Sequence, residues 1–280
     1  YIEKFFIIFS AGMLYYIPTV ARSYALIPII LFSIAYLWKN KNQHSIKLAV
    51  LITLLMNTHV YMLGLSFALF LVLIIEYLKE KNFKNLLWFL IPFCGFLFLF
   101  FTFYGVSGQN SLYIMNEANK TNIKEFVQII SRVFVYPIFS NYKFPILFKD
   151  IFAVVLSIFT LITALTGFFR TDKKVFFIFS FSTFYMLYVF YKYWVGGVLY
   201  QKIFMLVLVG IFCFMITKNN NQKISKALYF SFYAIMSIGL IVSPYVIIPD
   251  LKYNFSGAKQ VSNYIRKNLN NVDTFIDIVL

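Results

Sequence analysis

"LAVLITLLMNTHVYMLGLSFALFLVLII", residues 48–75, is an apolar run interrupted by three adjacent polar side chains, Asn57, Thr58 and His59. Lysines bracket it: Lys39, Lys41 and Lys47 ahead, Lys79, Lys81 and Lys84 behind. Cations in short loops mark the cytoplasmic side of a membrane chain. A run that begins and ends at cytoplasmic loops has to cross and return. As one straight helix, 46–78 would be roughly 50 Å long, against a hydrocarbon core of ~30 Å. It therefore reads as a hairpin turning near Asn57–Tyr61. The first arm is short, about 20 Å. Asn57 and His59 are then recessed below the outer surface, in a thinned bilayer or a water-filled cavity.

The composition agrees with a membrane class. Hydrophobic residues make up 61% and charged residues 12% of the 280, and mean hydropathy is +0.79. A soluble domain would carry about twice that charge. The apolar runs are too long for barrel strands of ~10 alternating residues. The net charge of +15 sits in short loops between apolar runs, which argues for orientation signals and against nucleic acid as a partner. Cys94 and Cys213 lie within apolar runs and imply neither a disulfide framework nor a metal site.

The fold class expected is an all-α polytopic membrane protein with about nine transmembrane helices, at 5–17, 23–38, 46–58, 60–78, 85–105, 151–169, 175–193, 201–217 and 227–247. The loops 39–47, 79–84, 170–174 and 218–226 are basic and go to the cytoplasm. The segments 18–22, 106–150, 194–200 and everything past Pro249 go outside. Residues 1–249 then form a transmembrane unit with an outer loop at 106–150. Residues 250–280 open an extracytoplasmic domain: "SGAKQVSNYIRKNL" (256–269) has the pattern of a soluble amphipathic helix and "TFIDIVL" (274–280) that of a strand, the start of an α/β unit. In the outer loop, "NIKEFVQIISRVFV" (122–135) is an amphipathic helix that lies on the membrane or on a neighbouring domain. The chain starts at Tyr1 and ends in an unfinished apolar run, so it reads as a piece of a longer protein.

Chemistry is sparse. There is no metalloprotease, P-loop, dinucleotide or serine-triad pattern. No cofactor is evident, and a divalent-metal requirement is left open. In "YYIPTVARSYALIPI" (15–29), Arg22 opens a span in an apolar setting. It can snorkel to the interface or hold a phosphate by paired hydrogen bonds. His59 and, more weakly, Asn57 either satisfy interhelical hydrogen bonds or line a cavity level with Arg22. Lys202, with Lys192 across the same outer loop, either snorkels or rims an anionic headgroup site. Glu76 reads as structural, paired with nearby Lys79 or Lys81.

These residues resemble the GT-C superfamily of polyprenyl-phosphate-dependent glycosyltransferases, in particular protein O-mannosyltransferases and bacterial aminoarabinose transferases. The resemblance lies in "ARSYAL" (Arg22, Tyr24), "NTHVYMLGL" (Asn57, His59, Tyr61) and "YQKIF" (Lys202), and in the passage at Pro249 to a soluble domain. It implies a sugar moved from a lipid-phosphate donor to a cell-envelope glycan, lipid or protein acceptor at the extracytoplasmic face of the cell membrane. Arg22 and Lys202 would hold the donor phosphate, and Tyr24, Asn57, His59 and Tyr61 would line the cavity. The family's catalytic acid follows its first span. No such acid precedes Arg22, so the resemblance puts it upstream of Tyr1. Two rival readings are a cell-surface polysaccharide polymerase or ligase and a non-enzymatic transporter of lipid-linked sugars.

Overall fold

The run at 48–75 breaks at its polar residues. In the computed structural model one helix ends at Thr58 and the next begins at Met62. His59 between them is extended, with φ −162° and ψ 146°, and its carbonyl accepts from the Met62 amide at 2.9 Å. The residues described are 26–105, 146–193, 199–220 and 224–230, with a few positions between 232 and 240.

The helices are α1 (Leu26–Leu37), continued by a 3-10 turn at Trp38–Asn40, α2 (Ser45–Thr58), α3 (Met62–Lys79), α4 (Phe83–Leu87), α5 (Leu90–Gly105), α6 (Ile146–Thr171), α7 (Lys173–Tyr193) and α8 (Leu199–Asn219). Helix is the only regular structure among the described residues. Met62–Lys79, Phe83–Phe101 and Lys173–Phe190 are long and apolar enough to cross a membrane. Leu26–Asn40, Ser45–Thr58, Ile158–Thr171 and Met205–Asn219 are apolar but shorter. Seven of the nine apolar runs read from the sequence coincide with these helices. The run 5–17, the amphipathic stretch 122–135 and the tail 250–280 lie outside the described residues. One boundary is corrected: α6 starts at Ile146, so the loop 106–150 gives up its last residues to helix.

Local chemistry explains the breaks. The run 85–105 is divided between α4 and α5 just ahead of Pro92. Its ring crowds the carbonyl four residues back and it has no amide to donate. The chain tightens there, with Phe89 N bonded to Leu86 O at 3.0 Å and Ile91 N to Trp88 O at 3.2 Å. Between α6 and α7 the link is Asp172 alone. Its amide donates to Phe168 O, its carbonyl accepts from Phe176 N, and its carboxylate caps Lys174 N, each at 2.8 Å.

Helix α3 stops in a Schellman turn. Asn82 N reaches back to Tyr77 O at 2.9 Å and Lys81 N to Leu78 O at 3.2 Å. Lys81 occupies the left-handed position, φ 54°, where glycine is the usual residue. Lys81→Gly should therefore raise stability by about 0.5–1 kcal/mol, read as a higher midpoint of thermal unfolding in detergent. A lower midpoint would mean that the lysine side chain contributes more than its backbone costs.

Five helices close a ring: α1 packs on α2, α2 on α3, α3 on α7, α7 on α8, and α8 on α1. Helix α5 leans on α2 and α6 on α7 from outside. The interior rows have helical spacing: Ile27, Leu31 and Ile34 on α1; Leu48, Ile52 and Leu55 on α2; Leu65, Leu69 and Leu73 on α3. The outside is apolar too. Ile29, Phe98, Phe101 and Phe184 are each more than 60% exposed, and only 17% of the Phe83–Phe101 stretch is buried. Such a surface suits hydrocarbon rather than water.

The ring has two distinct ends. At one, the start of α2, the end of α3 and the start of α7 are tied by ion pairs and hydrogen bonds. Asn219, ending α8, joins this end by donating to Ala35 O of α1 at 2.8 Å. The His59 turn is at the other end, beside the last turn of α7, where Phe190 meets Tyr61. Helices α1 and α8 therefore both begin at the His59 end.

Candidate functional site

At the His59 end, the three polar residues first satisfy backbone. The Asn57 amide donates to Thr53 O at 2.7 Å and the Thr58 hydroxyl to Leu55 O at 2.6 Å. Leu55 O is one of the carbonyls that a helix C-terminus leaves open, and in an apolar setting an open carbonyl is costly. Asn57 is exposed, while Tyr61 is buried at 2% exposure.

His59 is half-buried and held on both sides. The Tyr61 amide donates to its Nδ1 at 3.3 Å, so the proton of the neutral ring is on Nε2. The Tyr61 ring lies 4.2 Å away, centroid to centroid, and meets Phe190 edge-on at 4.8 Å. Burial pushes the imidazole down to about 4, because the charged form loses water. The ring is therefore neutral at pH 7. An unfolded histidine titrates near 6.5, so the unfolded chain takes up the proton first. The stability that neutral His59 contributes is complete above about pH 6.5 and falls as pH drops towards 4. In protein labelled on histidine, the NMR signal of His59 should titrate near pH 4. A midpoint above 6 would remove the desolvated setting.

Of the other residues read from the sequence, Lys202 is in the first turn of α8, at the His59 end of the ring. Arg22 and Tyr24 lie outside the described residues. Two cavities among the described residues are walled by other side chains than Asn57, His59 and Tyr61. One is apolar, walled by Thr160, Phe168, Phe179, Phe214 and Phe232 among others. The other opens at the opposite end of the ring.

That opposite end holds the group that sequence reasoning underrated. Glu76, with its side chain 6% exposed, pairs with Lys174 through Oε1 and with Lys41 through Oε2 at 2.7 Å. Pairing with Lys79 or Lys81 was expected; the partners are distant in sequence because Glu76 faces α7 and the 38–44 turn. The Tyr77 hydroxyl donates to Lys41 O at 3.1 Å. Asn42 Nδ2 donates to Glu80 Oε2 at 3.1 Å, Asn85 Nδ2 to Asn42 O at 2.8 Å, and Ser45 Oγ to Asn85 Oδ1 at 3.0 Å. A carboxylate written inside an apolar helix between basic loops was the available signal. No cluster of three His, Cys, Asp or Glu able to hold a metal occurs among the described residues. Comparison with protein families, curated proteins and solved structures found no match to this chain.

Proposed function

We propose that this chain is a multi-pass membrane glycosyltransferase that moves a sugar from a polyprenyl-phosphate donor to a cell-envelope acceptor on the extracytoplasmic face. In this reading it crosses the membrane about nine times, and its basic loops face the cytoplasm. The observation that supports it most is the His59 turn. It links two apolar helices at the end of the ring away from the ion-pair network, the end at which α1 and α8 begin. Arg22 precedes α1 by four residues and Lys202 is in the first turn of α8.

Arg22 and Lys202 neutralise the donor phosphate as it leaves. His59, neutral at pH 7, orients phosphate or sugar by hydrogen bonding and leaves the charge to those two cations. Tyr24 and the exposed Asn57 complete the wall, with Tyr61 packed behind His59 as its support. An acidic residue outside this set deprotonates the acceptor hydroxyl.

Two measurements test this. With Cys94 and Cys213 replaced by serine and alanine, His59→Cys in intact cells should react with a membrane-impermeant maleimide, and Lys47→Cys should react only after permeabilisation. Labelling of position 59 from the cytoplasm alone would sink the topology. In vesicles carrying a photoreactive polyprenyl-phosphate sugar, Arg22→Ala should reduce cross-linking at least about tenfold, a loss of ~1.4 kcal/mol. Undiminished cross-linking removes Arg22 from the site.

A further inference from the structure

A cavity of about 320 Å³ opens between α3 and α7 at the end that carries the ion-pair network. Val72, Ile75 and Phe177 make its apolar wall, and Ile75 and Phe177 remain 48% and 39% exposed. Glu76, Lys79, Glu80, Lys173 and Lys174 make the rest. These charges differ in status. Glu76 is shared by Lys41 and Lys174. Glu80 accepts from Asn42 and offsets one cation. The ammonium groups of Lys79 and Lys173 make no ion pair or hydrogen bond among the described residues. The rim therefore keeps a positive balance directly above an apolar wall.

We propose that this cavity binds an anionic phospholipid from the leaflet at that end. Its phosphate sits between Lys79 and Lys173, and an acyl chain runs along Val72, Ile75 and Phe177. The proposal rests on the reading of this chain as membrane-spanning and is independent of sugar transfer. Two features select this occupant. The cations match a phosphodiester, and basic pockets between spanning helices take acidic headgroups. The exposed apolar wall below them matches hydrocarbon, which a free phosphate or an acidic peptide does not supply. Bound lipid would brace α3 against α7, the most extensive helix pair in the ring.

The test is native mass spectrometry of the full chain in detergent, offered palmitoyl-oleoyl phosphatidylglycerol or the matching phosphatidylcholine. Phosphatidylglycerol should be retained at least about fivefold better, ~1 kcal/mol. Lys79→Ala with Lys173→Ala should erase that preference, whereas Lys79→Arg with Lys173→Arg should keep it and so exclude a folding defect. Lys47→Ala with Lys84→Ala removes two cations outside the cavity and should also keep it. The site is overturned if the alanine pair retains the preference, if the outside pair loses as much, or if glycerophosphate without acyl chains displaces the lipid. Equal retention of both lipids overturns the site alone. Retention of neither also overturns the site, while the membrane reading rests separately on the long apolar helices.

Discussion

Glu76→Ala is expected to lower stability by about 3 kcal/mol, near the lower end of what breaking a buried ion pair costs. Its carboxylate is almost fully enclosed, while Lys41 and Lys174 are 21% and 57% exposed. The freed ammonium groups can thus reach water, which holds the cost below the upper end of that range. What is lost is the tie between α3, the turn before α2 and the start of α7. Glu76→Gln keeps the shape and one acceptor and should cost less, about 1–2 kcal/mol, because an ammonium still donates to the amide oxygen and only the opposite charge is lost. The measurement is reversible unfolding in mixed detergent, with a double-mutant cycle between Glu76→Ala and Lys41→Ala giving a coupling of about 1 kcal/mol or more. A Glu76→Ala protein within ~0.5 kcal/mol of wild type would mean that the pairs contribute nothing net.

Gly64→Ala should cost about 1–3 kcal/mol, as overpacking does in a close-packed interior. Gly64 is buried on α3, where that helix meets α7. A Cβ added there would overlap Tyr185, reaching its Cδ1, its Cγ at 2.5 Å and its Cβ at 2.6 Å. The overlap with Tyr185 Cβ is the decisive part, since it is fixed to the backbone of α7. Tyr185→Ala therefore rescues Gly64→Ala only partly, and the two helices must separate. Small residues that let helices approach are the main device for packing inside a membrane. Unfolding of both single variants and of the pair checks this. Full rescue by Tyr185→Ala would show that the ring alone set the fit.

Much of the helix pattern was legible because a spanning helix has to satisfy its own backbone in hydrocarbon and so writes itself as a long apolar run. The hairpin was legible for a second reason. Basic loops flank 46–78 on both sides, the run is too long for one crossing of a ~30 Å core, and Asn57, Thr58 and His59 mark the turn. The division of 85–105 was written in Pro92, although the sequence reading passed over it. The start of α6 was written in Pro145, directly ahead of Ile146, although the sequence reading passed over that too. Among the candidate site residues, the sequence placed Asn57 and His59 at the turn. It had no means of showing that Tyr61 is buried against Phe190 or that Asn57 turns back to its own helix.

Glu76 marks the division. Composition, run length and the placement of lysines by themselves determined the helical class, the turn at His59 and which loops are basic. These are properties of consecutive residues and of their transfer between water and hydrocarbon. Which helices neighbour each other was decided only by the tertiary structure. The ring order, the approach of α3 to α7 at Gly64, and the choice of Lys41 and Lys174 over Lys79 and Lys81 all depend on it. Hydrophobicity is non-directional and says that a face is buried but not against what. Partner choice comes from shape fit and charge geometry between segments that are far apart in the chain.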